Sequence, residues 1–117
     1  MADETPSGVP IDVDDETYKT LVLGAKGFVL VDCWAAWCTG CRKTTPIVRA
    51  LAREHAGRLT VAELDTVANR YTCGRLELEG LPSFLLYKDG VEVGRLLGAA
   101  DRVKFDELLA RHGVTTL

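Results

Sequence analysis

The chain has 117 residues, a length that corresponds to one domain. A hydrophobic fraction of 47% and a charged fraction of 26% are typical of a globular protein with a core of its own. The formal net charge of −3 offers no basic surface, so we expect no nucleic-acid partner. No apolar run approaches the roughly 20 residues that a membrane-spanning helix needs, and we expect no membrane partner either.

The cysteine content and the start of the sequence favour a cytoplasmic location. Residues 1–6 are acidic and polar and contain no apolar signal-peptide segment. There are four cysteines, namely Cys33, Cys38, Cys41 and Cys73. They are too few for a disulfide scaffold in a chain that can build a core, and in the cytoplasm a C-x-x-C pair is more often catalytic or metal-binding than structural. Residues 1–8 are predicted to be a flexible tail and residues 9–117 the folded domain.

The first part of the chain is predicted to form two strands separated by a short helix. Val9–Val13 alternates apolar and polar residues around a proline, which is typical of an edge strand. Asp14 is predicted to cap an amphipathic helix that ends at Gly24. Its inward-facing residues are predicted to be Tyr18, Leu21 and Val22. Phe28–Trp34 has a single polar member, which predicts a strand buried on both faces, as in a parallel sheet covered by helices.

A long helix is predicted after Cys38 and is expected to end near Gly57. It carries Val48, Leu51, Ala52 and His55 at helical spacing. Pro46 lies inside this helix and should kink it. His55 and a second histidine, His112, both come near helix C-termini, and we expect both at the surface.

The remaining elements alternate until a final hairpin and helix. They are a strand over Leu59–Leu64, a short helix over Asp65–Gly74, and strands over Ser83–Tyr87 and Val91–Leu97. Asp89-Gly90 is a strong hairpin signal between the last two strands, and Asp101 is predicted to cap the last helix. The order βαβαβαββα predicts an α/β fold in which a sheet carries helices on both faces.

Cys38 and Cys41 form a C-x-x-C motif where the buried strand passes into the long helix. The first cysteine lies at the helix start, where free N–H groups and the positive end of the helix dipole favour a thiolate. The second lies one turn away, within disulfide distance. Trp37 precedes the motif, and an aromatic side chain at such a tip indicates a docking surface. These features predict thiol–disulfide exchange.

The stretch from Val31 to Arg42, V-D-C-W-A-A-W-C-T-G-C-R, resembles the V-D-F-W-A-x-W-C-G-P-C-K/R of the thioredoxin family. The resemblance extends from Val9 to His112, and its further matches are Pro46, Gly80-Leu81-Pro82, Lys88-Asp89-Gly90 and Gly98-Ala99. It implies the thioredoxin fold, with a central mixed sheet, and an oxidoreductase that reduces protein disulfides. It implies no cofactor beyond the Cys38–Cys41 couple, disulfide-containing client proteins as substrates, and a thioredoxin reductase as electron donor.

The resemblance also implies roles for individual residues. Cys38 would be the attacking thiol, partly exposed, and Cys41 the more buried resolving thiol. Asp32 lies in an apolar strand, where burial is expected to raise its pKa, and would accept a proton from Cys41. The Leu81–Pro82 peptide bond would be cis and would face the cysteines. The residues expected to bind substrate are Trp37, Thr39, Gly40, Gly80, Leu81, Pro82, Gly98 and Ala99.

Four features depart from the family pattern and concern the redox potential and the partners. They are Thr39-Gly40 in place of Gly-Pro, Cys33 in place of phenylalanine, Glu63 in place of a common lysine near the buried aspartate, and the acidic pair Glu77 and Glu79 near the substrate loop. The first of these also suggests an interaction domain in which the redox couple is incidental. A further alternative is a metal-binding module that uses Cys38 and Cys41 together with Cys33 or Cys73. Cys33 is expected in the core, where it is poorly directed toward a metal.

Overall fold

A mixed five-stranded β-sheet forms the centre of the structure, a computed structural model that describes residues 8–115. The strands are β1 (Ile11–Val13), β2 (Phe28–Trp34), β3 (Leu59–Asp65), β4 (Ser83–Lys88) and β5 (Val91–Leu97). Their spatial order is β1-β3-β2-β4-β5. β3 pairs in parallel with β1 and β2, whereas β4 is antiparallel to both β2 and β5. The predicted mixed α/β architecture is confirmed, and of the predicted tail all but Gly8 lies outside the described residues.

Helical segments cover both faces of this sheet. They are a π-helical segment (Lys19–Leu23) and the helices α1 (Thr39–Glu54), α2 (Arg70–Leu76) and α3 (Arg102–Arg111). One core contains residues of α1 and α3 together with Leu30 and Phe84 of the sheet. The other core contains Tyr18 and Val22 around the π-helical segment together with Val31 of the same central strand. Because β2 contributes to both cores, its nearly continuous apolar sequence is explained.

Two predicted turn and cap signals are confirmed. Asp89 and Gly90 have φ angles of 51° and 82°, as the hairpin between β4 and β5 requires. A side chain at Gly90 would collide with the carbonyl oxygen of Leu23, so this close approach needs glycine. Asp101 caps α3, because its Oδ1 accepts a hydrogen bond of 3.2 Å from the Lys104 N–H.

The first helical segment differs from the prediction. Tyr18 and Val22 are buried as expected, but Leu21 is 39% exposed, so its predicted inward position is wrong. Lys19–Leu23 is π-helical, and the wider i→i+5 pattern rotates side chains away from the α-helical spacing assumed in the prediction.

The second half of the chain contains two further differences. The short helix begins at Arg70 and not at Asp65, because the Asp65 carboxylate accepts hydrogen bonds from the Val67 and Ala68 N–H groups and holds a turn there. His55 is only 4% exposed, so the predicted surface position of this histidine is wrong. It caps the C-terminus of α1, and α3 packs over it through the same core. His112 is half-buried beside Gly94 of β5.

The helices within residues 8–115 include none that is both long and apolar enough to cross a membrane.

Candidate active site

Cys38 and Cys41 lie where β2 leads into α1, as predicted, and they are joined by a disulfide bond. Cys38 is the N-cap residue of α1, and its sulfur accepts a hydrogen bond of 3.2 Å from the Cys41 N–H. The two Cα atoms are 5.3 Å apart, which is the separation expected of residues one helical turn apart. A free N–H group at a helix start therefore points at the first sulfur, which favours a negative charge there.

The predicted difference in exposure between the two cysteines is wrong for this disulfide form. Cys38 and Cys41 are both only 4% exposed. The two cysteines and Ala35 form a small apolar cluster against which Trp34 and Leu81 pack. Leu81 comes from the loop before β4, so this cover is a tertiary contact that the local sequence does not contain.

The glycine within the motif brings the predicted substrate loops together. A Cβ atom built on Gly40 would lie 3.0 Å from Cδ of Pro82 and 3.4 Å from Cβ of Ala99. The Leu81–Pro82 bond is cis, as the resemblance implied, and the Pro82 carbonyl accepts a hydrogen bond of 2.8 Å from the Gly98 N–H. Three separate segments therefore meet beside the cysteines, and a side chain at position 40 would crowd their junction.

The remaining predicted substrate residues lie at the edges of this junction. Trp37 is 71% exposed, which is unusual for a tryptophan and suits a docking surface. Thr39, the first residue of α1, is also exposed. Gly80 lies near Leu97, since a Cβ at position 80 would be 3.6 Å from the Leu97 Cδ1 atom, and its carbonyl accepts a hydrogen bond of 2.6 Å from the Ser83 hydroxyl.

Asp32 is buried in β2, with 2% of its surface exposed. Its Oδ1 atom has no hydrogen-bond partner among residues 8–115. Burial raises the pKa of Asp32 to about 7 with a further contribution from the negative charge of Glu63, while the positive charge of Arg49 acts in the opposite direction. The predicted burial and raised pKa are confirmed. At neutral pH this carboxyl group is therefore divided between its protonated and ionised forms.

Glu63, one of the departures from the family pattern, lies directly opposite Asp32 in the parallel pairing of β2 and β3. Its carboxylate forms a salt bridge of 3.4 Å with the guanidinium group of Arg49 on α1. A cavity of about 120 Å³ is lined by Asp32, Trp34, Thr45, Arg49 and Glu63. The Thr45 hydroxyl also donates a hydrogen bond of 2.9 Å to the Cys41 carbonyl, so the cavity adjoins the second cysteine's turn of α1.

Arg49 and Thr45 were not predicted as site residues. Both lie on the face of α1 that carries Cys41, because positions 41, 45 and 49 are spaced by four residues. This spacing is visible in the sequence and was the available signal. The pairing of Arg49 with Glu63 was not visible, since it depends on how α1 packs over β3.

The other two cysteines lie away from the disulfide. Cys33 belongs to the core on the opposite face of the sheet, as predicted, and burial raises the pKa of its thiol. Cys73 on α2 is half-buried. Within the described ranges no group of three or more histidine, cysteine, aspartate or glutamate residues could hold a metal ion. Cys33 belongs to a different cluster from Cys38 and Cys41, which does not suit a metal site that joins these three residues.

Comparisons with known proteins agree with this site. The family model described as Thioredoxin matches residues 9–111. Thioredoxin from Mycobacterium tuberculosis (strain ATCC 25618 / H37Rv) is 39% identical over 99 residues, which cover 85% of this chain and 84% of the relative. The bifunctional thioredoxin reductase/thioredoxin of Mycobacterium leprae (strain TN) is 35% identical over 99 residues, 85% of this chain and 22% of the relative. The solved structure of a mutant thioredoxin from Halobacterium salinarum NRC-1 matches with a TM-score of 0.84 and 25% identity over 99% of both chains.

A C-x-x-C disulfide at the start of a helix, on a mixed sheet of this topology, defines a thiol–disulfide oxidoreductase. Matching the family model over residues 9–111, the chain belongs to the thioredoxin family. The predicted fold, family and activity are therefore confirmed.

Proposed function

We propose that the protein reduces disulfide bonds of client proteins, with Cys38 as the attacking thiol and Cys41 as the resolving thiol. The observation that carries this assignment is the N-cap position of Cys38, whose sulfur accepts the Cys41 N–H. A thiolate at this position gains from the hydrogen bond and from the helix dipole. The Cys41 sulfur lies inside the first turn and has no comparable N-cap position.

The reaction transfers two electrons in two steps. The Cys38 thiolate attacks one sulfur of the client disulfide, a mixed disulfide forms, and the other client sulfur leaves as a thiolate. Cys41 then gives its proton to the Asp32 carboxylate, and its thiolate attacks the Cys38 sulfur. The Cys38–Cys41 bond forms, the second client thiolate leaves, and each client thiolate takes a proton from water. The protein is oxidised and the client is reduced to a dithiol.

Asp32 is proposed as the proton acceptor in the second step. A carboxylate with a pKa near 7 is matched to general-base work at neutral pH, because it is partly ionised and still basic enough to take a proton. Its buried, unpartnered oxygen supports the assignment, since a purely structural carboxylate at this depth would be expected to have its hydrogen bonds satisfied.

The client is proposed to bind across the junction beside the disulfide. Trp37, Leu81 and Ala99 provide apolar contacts there, and glycines keep the approach open. No turn or loop backbone hydrogen bond within residues 8–115 uses Leu81, so its peptide groups are available to pair with an extended client segment. The remaining residues of this proposed surface are Thr39, Gly40, Gly80, Pro82 and Gly98.

A thioredoxin reductase is proposed as the electron donor that regenerates the dithiol. The support is a relative whose name joins thioredoxin reductase and thioredoxin in one protein. A couple that a reductase returns to the dithiol form operates where thiols are kept reduced, and we therefore propose a cytoplasmic location.

The order of attack can be tested by trapping. Cys41→Ser should accumulate a stable mixed disulfide with insulin, because the resolving thiol is absent. Cys38→Ser should trap none, and Cys73→Ser serves as a matched control that should reduce insulin like the unmodified chain. Trapping by Cys38→Ser but not by Cys41→Ser would reverse the assignment.

A further inference from the structure

Two carboxylates and one guanidinium group line the same cavity between α1 and the strands β2 and β3. Asp32 and Glu63 are register partners on neighbouring parallel strands, and both line the cavity together with Arg49. The Glu63 side chain is 14% exposed and that of Arg49 is 54% exposed. The arginine therefore reaches from solvent to a largely covered acidic pair, and it meets Glu63 with a salt bridge of 3.4 Å.

The groups that face Asp32 come from three elements. β3 contributes Glu63, and α1 contributes Arg49 and the uncharged Thr45. On the other side, β4 places Phe84 opposite Asp32, so no charge approaches from that strand. Among the residues that line the cavity, Arg49 is the one positive group beside two acidic ones. Two close carboxylates cannot both ionise easily, and a cation decides which of them does.

We propose that Arg49 is a positioning residue for the resolving step: it binds the Glu63 carboxylate and leaves Asp32 as the member of the pair that exchanges a proton with Cys41. This inference rests on the proposed role of Asp32. The charge of Glu63 raises the pKa of Asp32, and the charge of Arg49 lowers it. The salt bridge to Glu63 holds the guanidinium group in the cavity that both carboxylates line. Arg49 thus sets the pH above which Asp32 is ionised and can accept the Cys41 proton.

Removing Arg49 and removing Glu63 should shift the pH midpoint of the resolving step in opposite directions. In Arg49→Gln the two carboxylates repel each other without compensation, and the pH midpoint of the resolving step should rise by about 1 unit. At pH values below both midpoints the resolving rate of Arg49→Gln should be about tenfold lower than that of the unmodified chain, and at high pH the two rates should become equal. In Glu63→Gln the repulsion is absent, and the midpoint should fall.

The resolving step can be followed separately with Ellman's reagent, whose disulfide Cys38 attacks first. The second equivalent of thionitrobenzoate is released when Cys41 attacks the mixed disulfide, and its rate is measured by stopped flow from pH 5 to 9. Cys73→Ser is the background, so that the half-buried thiol does not react. Arg53→Gln is the matched control, since Arg53 is an exposed arginine of the same helix one turn further on.

The inference is supported if Arg49→Gln raises the midpoint, Glu63→Gln lowers it, and Arg53→Gln leaves it unchanged. If Arg49→Gln moves neither the midpoint nor the titration of the Asp32 carboxyl group, the inference is overturned, while the roles of the cysteines and Asp32 stay intact. NMR titration of the Asp32 carboxyl group in the oxidised proteins shows whether the substitution changes the pKa of Asp32 itself. If Arg49→Gln moves that titration but not the rate profile, Asp32 is not the proton acceptor, and the proposed role and the inference both fail.

Discussion

Two buried ionisable side chains, one beside each end of α1, have an atom without a hydrogen-bond partner among residues 8–115. Near the N-terminal end, Asp32 is 2% exposed and its Oδ1 atom has no partner among the described residues. At the C-terminal end, His55 is 4% exposed and its Nδ1 atom is likewise without a partner in residues 8–115. Burial favours the neutral form of both groups, and the pKa therefore rises for Asp32 and falls for His55.

The two ends differ in the charges that surround the buried group. At the N-terminal end Glu63 adds to the effect of burial and brings the pKa of Asp32 to about 7, within the range of working pH. At the C-terminal end Glu54 opposes the effect of burial on His55, while Arg102 adds to it, and Arg102 pairs with Glu54 at 2.6 Å. His55 is therefore mainly neutral at pH 7, so the same burial leaves a carboxyl group with a pKa of about 7 at one end and a neutral histidine at the other.

The largest expected effect is on stability at the N-terminal end. Because the pKa of Asp32 is raised on folding, its contribution to stability is present below about pH 4 and is lost as the pH rises through about 7. In Asp32→Asn the side chain at position 32 cannot ionise, so this loss of stability does not occur. We expect the free energy of unfolding of the variant, relative to the unmodified chain, to increase by about 2–3 kcal/mol between pH 5 and pH 8. Urea unfolding of the oxidised proteins at both pH values measures it.

Glu107→Gln is the control for this experiment, because Glu107 is an exposed carboxylate of α3, away from Asp32 and Glu63. This substitution should not reproduce the gain of Asp32→Asn between pH 5 and pH 8. A pH-independent effect of Asp32→Asn would mean that Asp32 is ionised in the folded protein at pH 5, and the contrast between the two ends of α1 would disappear.

The sequence predicted those features of this comparison that are encoded locally. The strand Phe28–Trp34 was predicted with its observed bounds, since an apolar run of this length with one polar residue is typical of a strand buried on both faces. The C-x-x-C at the strand–helix junction and the cap at Asp101 also follow from short-range patterns. The burial of Asp32 followed from its apolar neighbours in the same strand.

The features that were missed depend on contacts between distant segments. His55 continues the helical spacing of Val48, Leu51 and Ala52, but it was predicted at the surface because its burial requires α3 to pack against the end of α1. Leu81, from the loop before β4, packs against the cluster that contains Cys38. The salt-bridge partner of Glu63 is Arg49 of α1. Leu21 was misplaced because a π-helical segment changes the spacing of side chains, and the sequence contains no separate signal for it.

An intermediate effect is expected from the glycines at the two ends of α1. Gly57 has a φ angle of 89°, so Gly57→Ala should destabilise the protein by about 1 kcal/mol without changing its activity. Gly40→Ala would place a Cβ atom 3.0 Å from Pro82, so the substrate junction must shift and insulin reduction should fall about threefold. Urea unfolding and the insulin assay on both variants measure the two effects.

Gly74→Ala is the control for both glycine variants, because a Cβ atom at position 74 meets nothing within 4 Å. It should leave activity unchanged and stability equal or slightly higher. Equal losses of activity in Gly40→Ala and Gly57→Ala would show that the N-terminal end of α1 has no special part in substrate binding.

The smallest effect is expected at His55, because the carboxylates of Glu54 and Asp106 oppose the lowering of its pKa, while Arg102 and Arg58 act with burial. A lowered pKa means that the unfolded chain binds more protons, so the contribution of His55 is present above about pH 6.5 and is lost as the pH falls below it. His55→Gln cannot titrate in this range. Its unfolding free energy should therefore fall less between pH 7.5 and pH 5 than that of the unmodified chain.

The direction of this change is opposite to that of Asp32→Asn, which gains stability as the pH rises. His112→Gln provides the control for the removal of an imidazole, since His112 is the half-buried C-cap residue of α3. The insulin assay should be unchanged in both histidine variants, because neither residue belongs to the apolar cluster around the disulfide or to the junction of Gly40 with Pro82 and Ala99. If His55→Gln instead lost stability more steeply toward pH 5, protonated His55 would be stabilised by Glu54 and Asp106 in the folded protein. The C-terminal end of α1 would then carry a charged histidine in the folded protein at pH 5, and the contrast between the two ends would fail.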